Sequence, residues 1–177
     1  GSEMCIRDRA RKARMIRNQG MEKRYANEFV GLNNRMTDIH ASIGRVQLGK
    51  LAGWTKIRQD NAAFLSQNIT EAVTPTVPEG YVHVYHQYTI RVEGATGEER
   101  DRFVTALKEE HQVGSGVYYP IPNHRLPSLA PYAPGLELPN TEKVAAECVS
   151  LPVHPSLSQA DLERIAEAVN KAAKAGA

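Results

Sequence analysis

TDIHASIGRVQLGKLAGWTKIRQDNAAFLSQNI, residues 37–69, is the stretch on which the fold turns. Ile39, Ile43, Val46, Leu51, Trp54, Ile57 and Leu65 recur largely three and four residues apart or at their sums, the period of a helix with one apolar stripe. Thr37 or Asp38 can cap its start, because a short side-chain oxygen accepts from the N–H groups that a first turn leaves unpaired. Carried to Ile69, such a helix is roughly 45 to 50 Å long at about 1.5 Å per residue. That exceeds the width of a small domain. The expectation is a helix that bridges two domains, with Gly44, Gly49 and Gly53 as places to bend or to admit a close neighbour.

Downstream, VHVYHQYTIRV (82–92) is dense in β-branched and aromatic residues and reads as a buried strand. Thr96 and Glu99 have the spacing of a capping box for a helix over about 97–111, with Phe103, Val104 and Leu107 inward. Val113 to Tyr119 is a second strand candidate. PIPNHRLPSLAPYAPGLELP (120–139) holds six prolines in twenty residues, which excludes helix and continuous sheet. Long ordered loops of this kind are often functional. A short helix over Asn140 to Cys148 then leads into CVSLPVHP (148–155), a third strand. Ser158 and Asp161 open a last helix with Leu162, Ile165, Ala166 and Val169 on one face. Residues 82–174 thus spell a small α/β domain without internal repeats.

Upstream, Ala10 to Gln19 reads as a basic helix stopped by Gly20, and 21–35 as an irregular, Asn-rich loop containing Gly31. GSEMCIRDR (1–9) has no periodicity and resembles a translated adapter, so it is set aside as a non-native scar.

The 177 residues can bury roughly two thirds of their unfolded surface. A composition of 41% hydrophobic and 24% charged residues is that of a soluble globular protein, not of a disordered one. Cys5 and Cys148 have neither zinc nor disulfide-framework spacing. There is no apolar run of membrane-spanning length and no apolar secretory core, so the expectation is a cytoplasmic protein without a membrane partner. The net charge of +2 is lopsided, with eight Lys or Arg against three acids in residues 1–24. A nucleic-acid contact would have to lie there, but Ala10, Ala13, Met15 and Ile16 interrupt the charges at helical spacing, which favours the solvated face of a packed helix.

His83 and His86, three apart in the expected strand, would point to opposite faces and cannot hold one metal ion together. GSG at 114–116 lacks the flanks of a nucleophile elbow and reads as a turn. The usual nucleotide-binding glycine signatures are absent. GLNNRM (31–36) is more informative. Amide and guanidinium donors beside a helix N-terminus favour a phosphate or carboxylate, although Asp38 brings a negative charge to the same turn. A structural cap and an anion site both remain open from the residues alone.

RKARMIRNQGMEKRY followed by VGLNNRMTDIHASIGRVQLGKL resembles the DegT-type sugar aminotransferases, in which a basic helix, a G-x-N-x-R-M segment and an A-x-I-G-x-x-Q-L helix follow in this order. YHQYTIRV, GVYYPIPNH and ECVSLPVHPSLSQADLERI are similar to the family's small-domain strands, substrate loop and closing helix. The resemblance covers nearly the whole chain. It implies an α/β chain that is the C-terminal part of an aspartate-aminotransferase-like enzyme: residues 10–36 the end of the large cofactor domain, 37–69 the bridging helix and 70–177 the small domain.

It further implies pyridoxal 5′-phosphate as cofactor and transfer of an amino group, usually from glutamate, to a keto sugar on a nucleotide. By resemblance, Asn33 reaches the cofactor phosphate of the other subunit of a homodimer, and Arg35 lies near the same anionic groups or the sugar nucleotide. Tyr119 and His124 line the substrate cleft. Tyr118 replaces a histidine common in relatives, and His40 stands where relatives often have glutamine. The family's Schiff-base lysine lies in an S-F context before the basic helix; Lys12 and Lys23 lack those surroundings. The expectation is therefore a fragment with no catalytic residue of its own, inactive alone. A binding or regulatory module of the same fold is the alternative.

Overall fold

The computed structural model of the protein describes residues 2–175. Five helices, α1 (Ser2–Ile16), α2 (Asp38–Asn68), α3 (Gly97–Glu109), α4 (Pro139–Glu147) and α5 (Gln159–Ala175), accompany two strands, β1 (Tyr88–Arg91) and β2 (Cys148–Leu151). Two compact units divide between Lys50 and Leu51, inside α2.

Unit one holds α1, a looped segment and the start of α2. α1 runs through the residues set aside above and ends at Ile16, earlier than the expected Gln19. The chain turns there because Gln19 and Gly20 both adopt the left-handed conformation, at φ 59° and 76°.

Unit two is built on β1 and β2, which pair antiparallel with Tyr88 opposite Leu151 and Arg91 opposite Cys148. Tyr88 and Ile90 alternate inward along β1, while all of β2 is buried. Leu65 of α2, Phe103 and Leu107 of α3, and Leu162, Ile165 and Val169 of α5 close the core around them. Val73 bridges to Arg91 on the outer side of β1, and Gly116 to Ser150 on the outer side of β2. Backbone order across the sheet is therefore Val73, β1, β2, Gly116.

Both predicted capping boxes are present. Thr96 Oγ1 accepts from the Glu99 N–H while Glu99 accepts from the Thr96 N–H at 2.7 Å. Ser158 Oγ accepts from the Asp161 N–H, and Asp161 Oδ2 accepts from the Ser158 N–H at 2.9 Å. These bonds hold both carboxyls below the usual carboxylate range. The far end of α2 is tied to α5 by Asn170. Its Oδ1 accepts from the N–H groups of Thr70 (2.8 Å) and Glu71 (3.2 Å), and its Nδ2 donates to the Asn68 carbonyl at 2.8 Å.

Three expectations are corrected. The strand over 82–92 contracts to Tyr88–Arg91, because α2 side chains take the carbonyls that a ladder would need. Gln59 Nε2 donates to His83 O at 3.0 Å and Arg58 Nη1 to Tyr85 O at 3.1 Å. Tyr85 itself is left-handed and donates its N–H to His83 Nδ1 at 2.8 Å. His83 and His86 thus lie outside β1, where the alternation of strand faces does not apply. The strand over 113–119 is reduced to the Gly116 bridge: left-handed Gln112 closes α3, and left-handed Tyr119 turns the chain away. α2 has the expected length, 31 residues or about 46 Å. Of its apolar stripe, however, only Leu65 is buried, while Ile39, Ile43, Val46, Leu51, Trp54 and Ile57 stay exposed. Nothing approaches Gly44, Gly49 or Gly53 among the described residues.

Candidate functional site

In unit one, residues 27–34 lie against the end of α1. Leu32 N–H donates to Ile16 O (2.6 Å), Gln19 N–H to Leu32 O (2.9 Å), Asn34 N–H to Arg17 O (3.0 Å) and Glu28 N–H to Gly20 O (2.9 Å). Two glycines make this contact possible. A Cβ on Gly31 would sit 2.1 Å from Gly20 N, and one on Gly20 would sit 1.8 Å from Phe29 O. No side chain fits between the two backbones, which is the physical reason for glycine in the GLNNRM segment. The same bonds deliver Asn33, bridged to Asn18, and two residues later Arg35.

Arg35 Nε donates to Asn33 Oδ1 at 3.1 Å, so the two predicted cofactor residues are in contact. Arg35 also lines an open groove of about 340 Å³ with Arg11, Arg14, Arg17 and Asn18. Glu22 on its rim is engaged by Arg11 in a forked pair at 2.9 and 2.5 Å, which holds the Glu22 carboxyl below its usual range. Thr37 then caps α2, its Oγ1 accepting from the His40 N–H at 3.2 Å. The first turn of a helix thus follows directly on a guanidinium and an amide.

In unit two, the proline-rich segment folds into two short 3₁₀ turns, Asn123–Arg125 and Ala130–Tyr132. Tyr119 precedes them at φ 60° and is 78% exposed. The His124 side chain is only 5% exposed, and its Nε2 meets Glu142 Oε1 at 2.8 Å. That oxygen also accepts from Arg125 Nη2 at 2.9 Å and from the Leu138 N–H at 3.3 Å. The bonds to His124, Arg125 and Leu138 hold the Glu142 carboxyl down at about 2. Glu142 escaped the sequence analysis. Pro139 at the start of a helix with a glutamate three residues on was a signal for a helix start, but the partner eighteen residues away was not legible. Asn33 and Arg35 belong to one unit, and Tyr119 and His124 to the other.

Residues 7–170 match the DegT/DnrJ/EryC1/StrS aminotransferase family. The chain belongs to that family. Among relatives of this DegT-family chain, a pleiotropic regulatory protein of Geobacillus stearothermophilus is 36% identical, over 90% of this chain and 43% of its own length. The dTDP-3-amino-3,6-dideoxy-alpha-D-galactopyranose transaminase of Aneurinibacillus thermoaerophilus is 32% identical, over 92% and 43%. The crystal structure of DesV from S. venezuelae with a ketimine intermediate superposes with a TM-score of 0.83 at 29% identity, covering 93% of this chain and 44% of that one. The DegT-family chain therefore spans a little under half the length of these relatives.

Pyridoxal 5′-phosphate is the cofactor of this family, and the donor set around Asn33 suits its phosphate. With Asn33 Oδ1 engaged by Arg35 Nε, the amide Nδ2 and the terminal guanidinium nitrogens are the donors left to face an anion. Among the described residues, no cluster of three metal-ligating side chains occurs, and no helix is long and apolar enough to cross a membrane.

Proposed function

We propose that this chain is the C-terminal part of a homodimeric, cytoplasmic aminotransferase that moves an amino group, from glutamate, to a keto sugar carried on a nucleotide. The observation that carries this reading is the hydrogen-bonded pair Asn33 and Arg35, which stands just before α2 in a member of the DegT family. In this reading residues 10–36 finish the large domain, α2 bridges, and 70–177 form the small domain. Asn33 Nδ2 and the Arg35 guanidinium hold the cofactor phosphate of the partner subunit, in charge-assisted bonds of the strong kind. Tyr119 and His124 face the sugar side and orient it.

Bound pyridoxal 5′-phosphate supplies the electrophilic carbon and electron sink through which the amino group passes. In this reading the rest of the protein supplies the anchoring lysine, and Asn33, Arg35, Tyr119 and His124 contribute binding and orientation. Charge supports the phosphate role further, since Arg11, Arg14, Arg17 and Arg35 line one groove whose single acidic lining residue, Glu22, is already paired with Arg11. A lone cluster of like charges is unfavourable until an anion occupies it.

The test uses the protein at the full length of its relatives. Amino transfer from glutamate to a keto sugar nucleotide is expected, with the cofactor's visible absorption. Asn33→Ala and Arg35→Ala should each weaken cofactor retention by about tenfold or more, in line with the loss of one charge-assisted bond. Retention unchanged in both variants refutes the site. The second reading, a regulatory module of the same fold, is favoured by the name of the Geobacillus relative. It predicts no cofactor absorption and no transfer in the same experiment.

A further inference from the structure

The clamp around Glu142 is the densest polar cluster of the proline-rich segment, and the proposed activity leaves it unexplained. One oxygen, Oε1, accepts from His124 Nε2 (2.8 Å), Arg125 Nη2 (2.9 Å), Arg125 Nε (3.3 Å) and the Leu138 N–H (3.3 Å). Residues 124 and 138 are thereby fastened to the same atom, which closes the loop between them at the first turn of α4. The N-terminal end of a helix favours a negative charge there, and the carboxyl lies near 2, far below neutral pH.

An ionised carboxylate can only accept. His124 must therefore present a proton on Nε2, and in a neutral imidazole the other nitrogen is then a bare acceptor, since the bond made by one ring nitrogen decides the state of the other. Nδ1 has no partner among the described residues. It is not sealed in either, for the one buried side-chain polar atom left without a partner among them is Ser115 Oγ. In its neutral form this buried ring has one nitrogen committed and the other a lone pair, which suits a hydroxyl or ammonium donor. The same lone pair repels a phosphate or a carboxylate.

We infer that Glu142 is a positioning residue that fixes His124 in the Nε2–H form, so that His124 Nδ1 accepts a hydrogen bond from a sugar hydroxyl and not from an anionic part of the substrate. The sugar as ligand rests on the proposed function; the fixed tautomer and the closed loop do not.

Two measurements on the 177-residue chain need no ligand. Nitrogen-15 spectra of the His124 ring at pH 8 should show one neutral form, protonated at Nε2. Glu142→Gln keeps a carbonyl acceptor and should retain that form, whereas Glu142→Ala should give a mixture. Chymotryptic cleavage after Tyr132, at the exposed turn inside the loop, should be about tenfold faster or more in Glu142→Ala, because cleavage follows the population of the opened loop. A ring protonated at Nδ1, a doubly protonated ring at pH 8, or a tautomer and a cleavage rate that Glu142→Ala leaves unchanged would each overturn the inference.

In the protein at its relatives' length, Glu142→Ala should raise KM for the keto sugar nucleotide severalfold and leave that for glutamate unchanged, with Glu142→Gln restoring it. Equal effects on both substrates would overturn the sugar contact. Absence of amino transfer in the unaltered protein, with the tautomer as stated, would instead count against the proposed activity.

Discussion

Removing the Glu147 carboxylate should cost the second unit about 3 kcal/mol, at the lower end of what breaking a buried ion pair costs. The side chain is 2% exposed at the end of α4, directly before β2. Its Oε2 accepts from Arg91 Nη1 at 2.7 Å and its Oε1 from the Gly94 N–H at 2.9 Å, with Lys143 Nζ at 3.8 Å. Glu147→Ala leaves Arg91 and the Gly94 N–H without their acceptor. Arg91 is 32% exposed and regains some water, which is why the lower end applies. Glu147→Gln keeps an acceptor but loses the charge, and should cost roughly 1–2 kcal/mol.

The pH dependence has a definite sign. Burial pushes the Glu147 carboxyl up, but the Gly94 N–H, Arg91 and Lys143 together hold it below its ordinary 4.5. A group depressed in the folded state stabilises above its unfolded value and loses that contribution as pH falls through the folded one. Urea unfolding followed by circular dichroism from pH 7 downward should therefore show the wild type and Glu147→Gln converging below the ordinary carboxylate range. Glu147→Ala within about 0.5 kcal/mol of wild type at pH 7, the range of ordinary surface substitutions, would refute the reasoning. So would a gap to Glu147→Gln that widens in acid.

Gly31→Ala should destabilise unit one by roughly 1–3 kcal/mol or more, as overpacking does, since the new carbon would meet backbone at 2.1 Å; faster hydrogen exchange at the Leu32 and Asn34 amides is the measurement. Asn170→Ala removes the partners of two N–H groups and one carbonyl at the end of α2. At about 0.5–1.5 kcal/mol net per bond, and with water able to reach these groups, the expected loss is about 2 kcal/mol in urea unfolding. Thr96→Ala should cost about 1 kcal/mol by removing the α3 N-cap, and hydrogen exchange in the first turn of α3 should rise with it.

The features legible in the sequence were those decided within a few residues. The Thr96–Glu99 and Ser158–Asp161 boxes, the start of α2 at Thr37 and the inward face of α5 all follow from local spacing, and all are found. What failed depended on distant partners. VHVYHQYTIRV has the composition of a strand, but Gln59 and Arg58, more than twenty residues away, claim its carbonyls. The stripe on α2 has the right period, yet periodicity states only that a face is apolar and not that a surface exists to cover it. At the candidate site, the contact between Asn33 and Arg35 and the exposure of Tyr119 needed coordinates, and so did the commitment of His124 to Glu142. Gly31 was visible in the motif, but its reason, the opposing Gly20, was not.

The sheet of unit two meets each outer neighbour through a single residue, Val73 on one side and Gly116 on the other. Pro75 follows the first, and left-handed Tyr119 follows the second, so neither border continues as an extended row of unpaired amides. Such borders give a foreign strand nothing to zip onto, a common protection against fibre growth. Self-association of this unit at high concentration should therefore be amorphous and reversible, and should not build cross-β order.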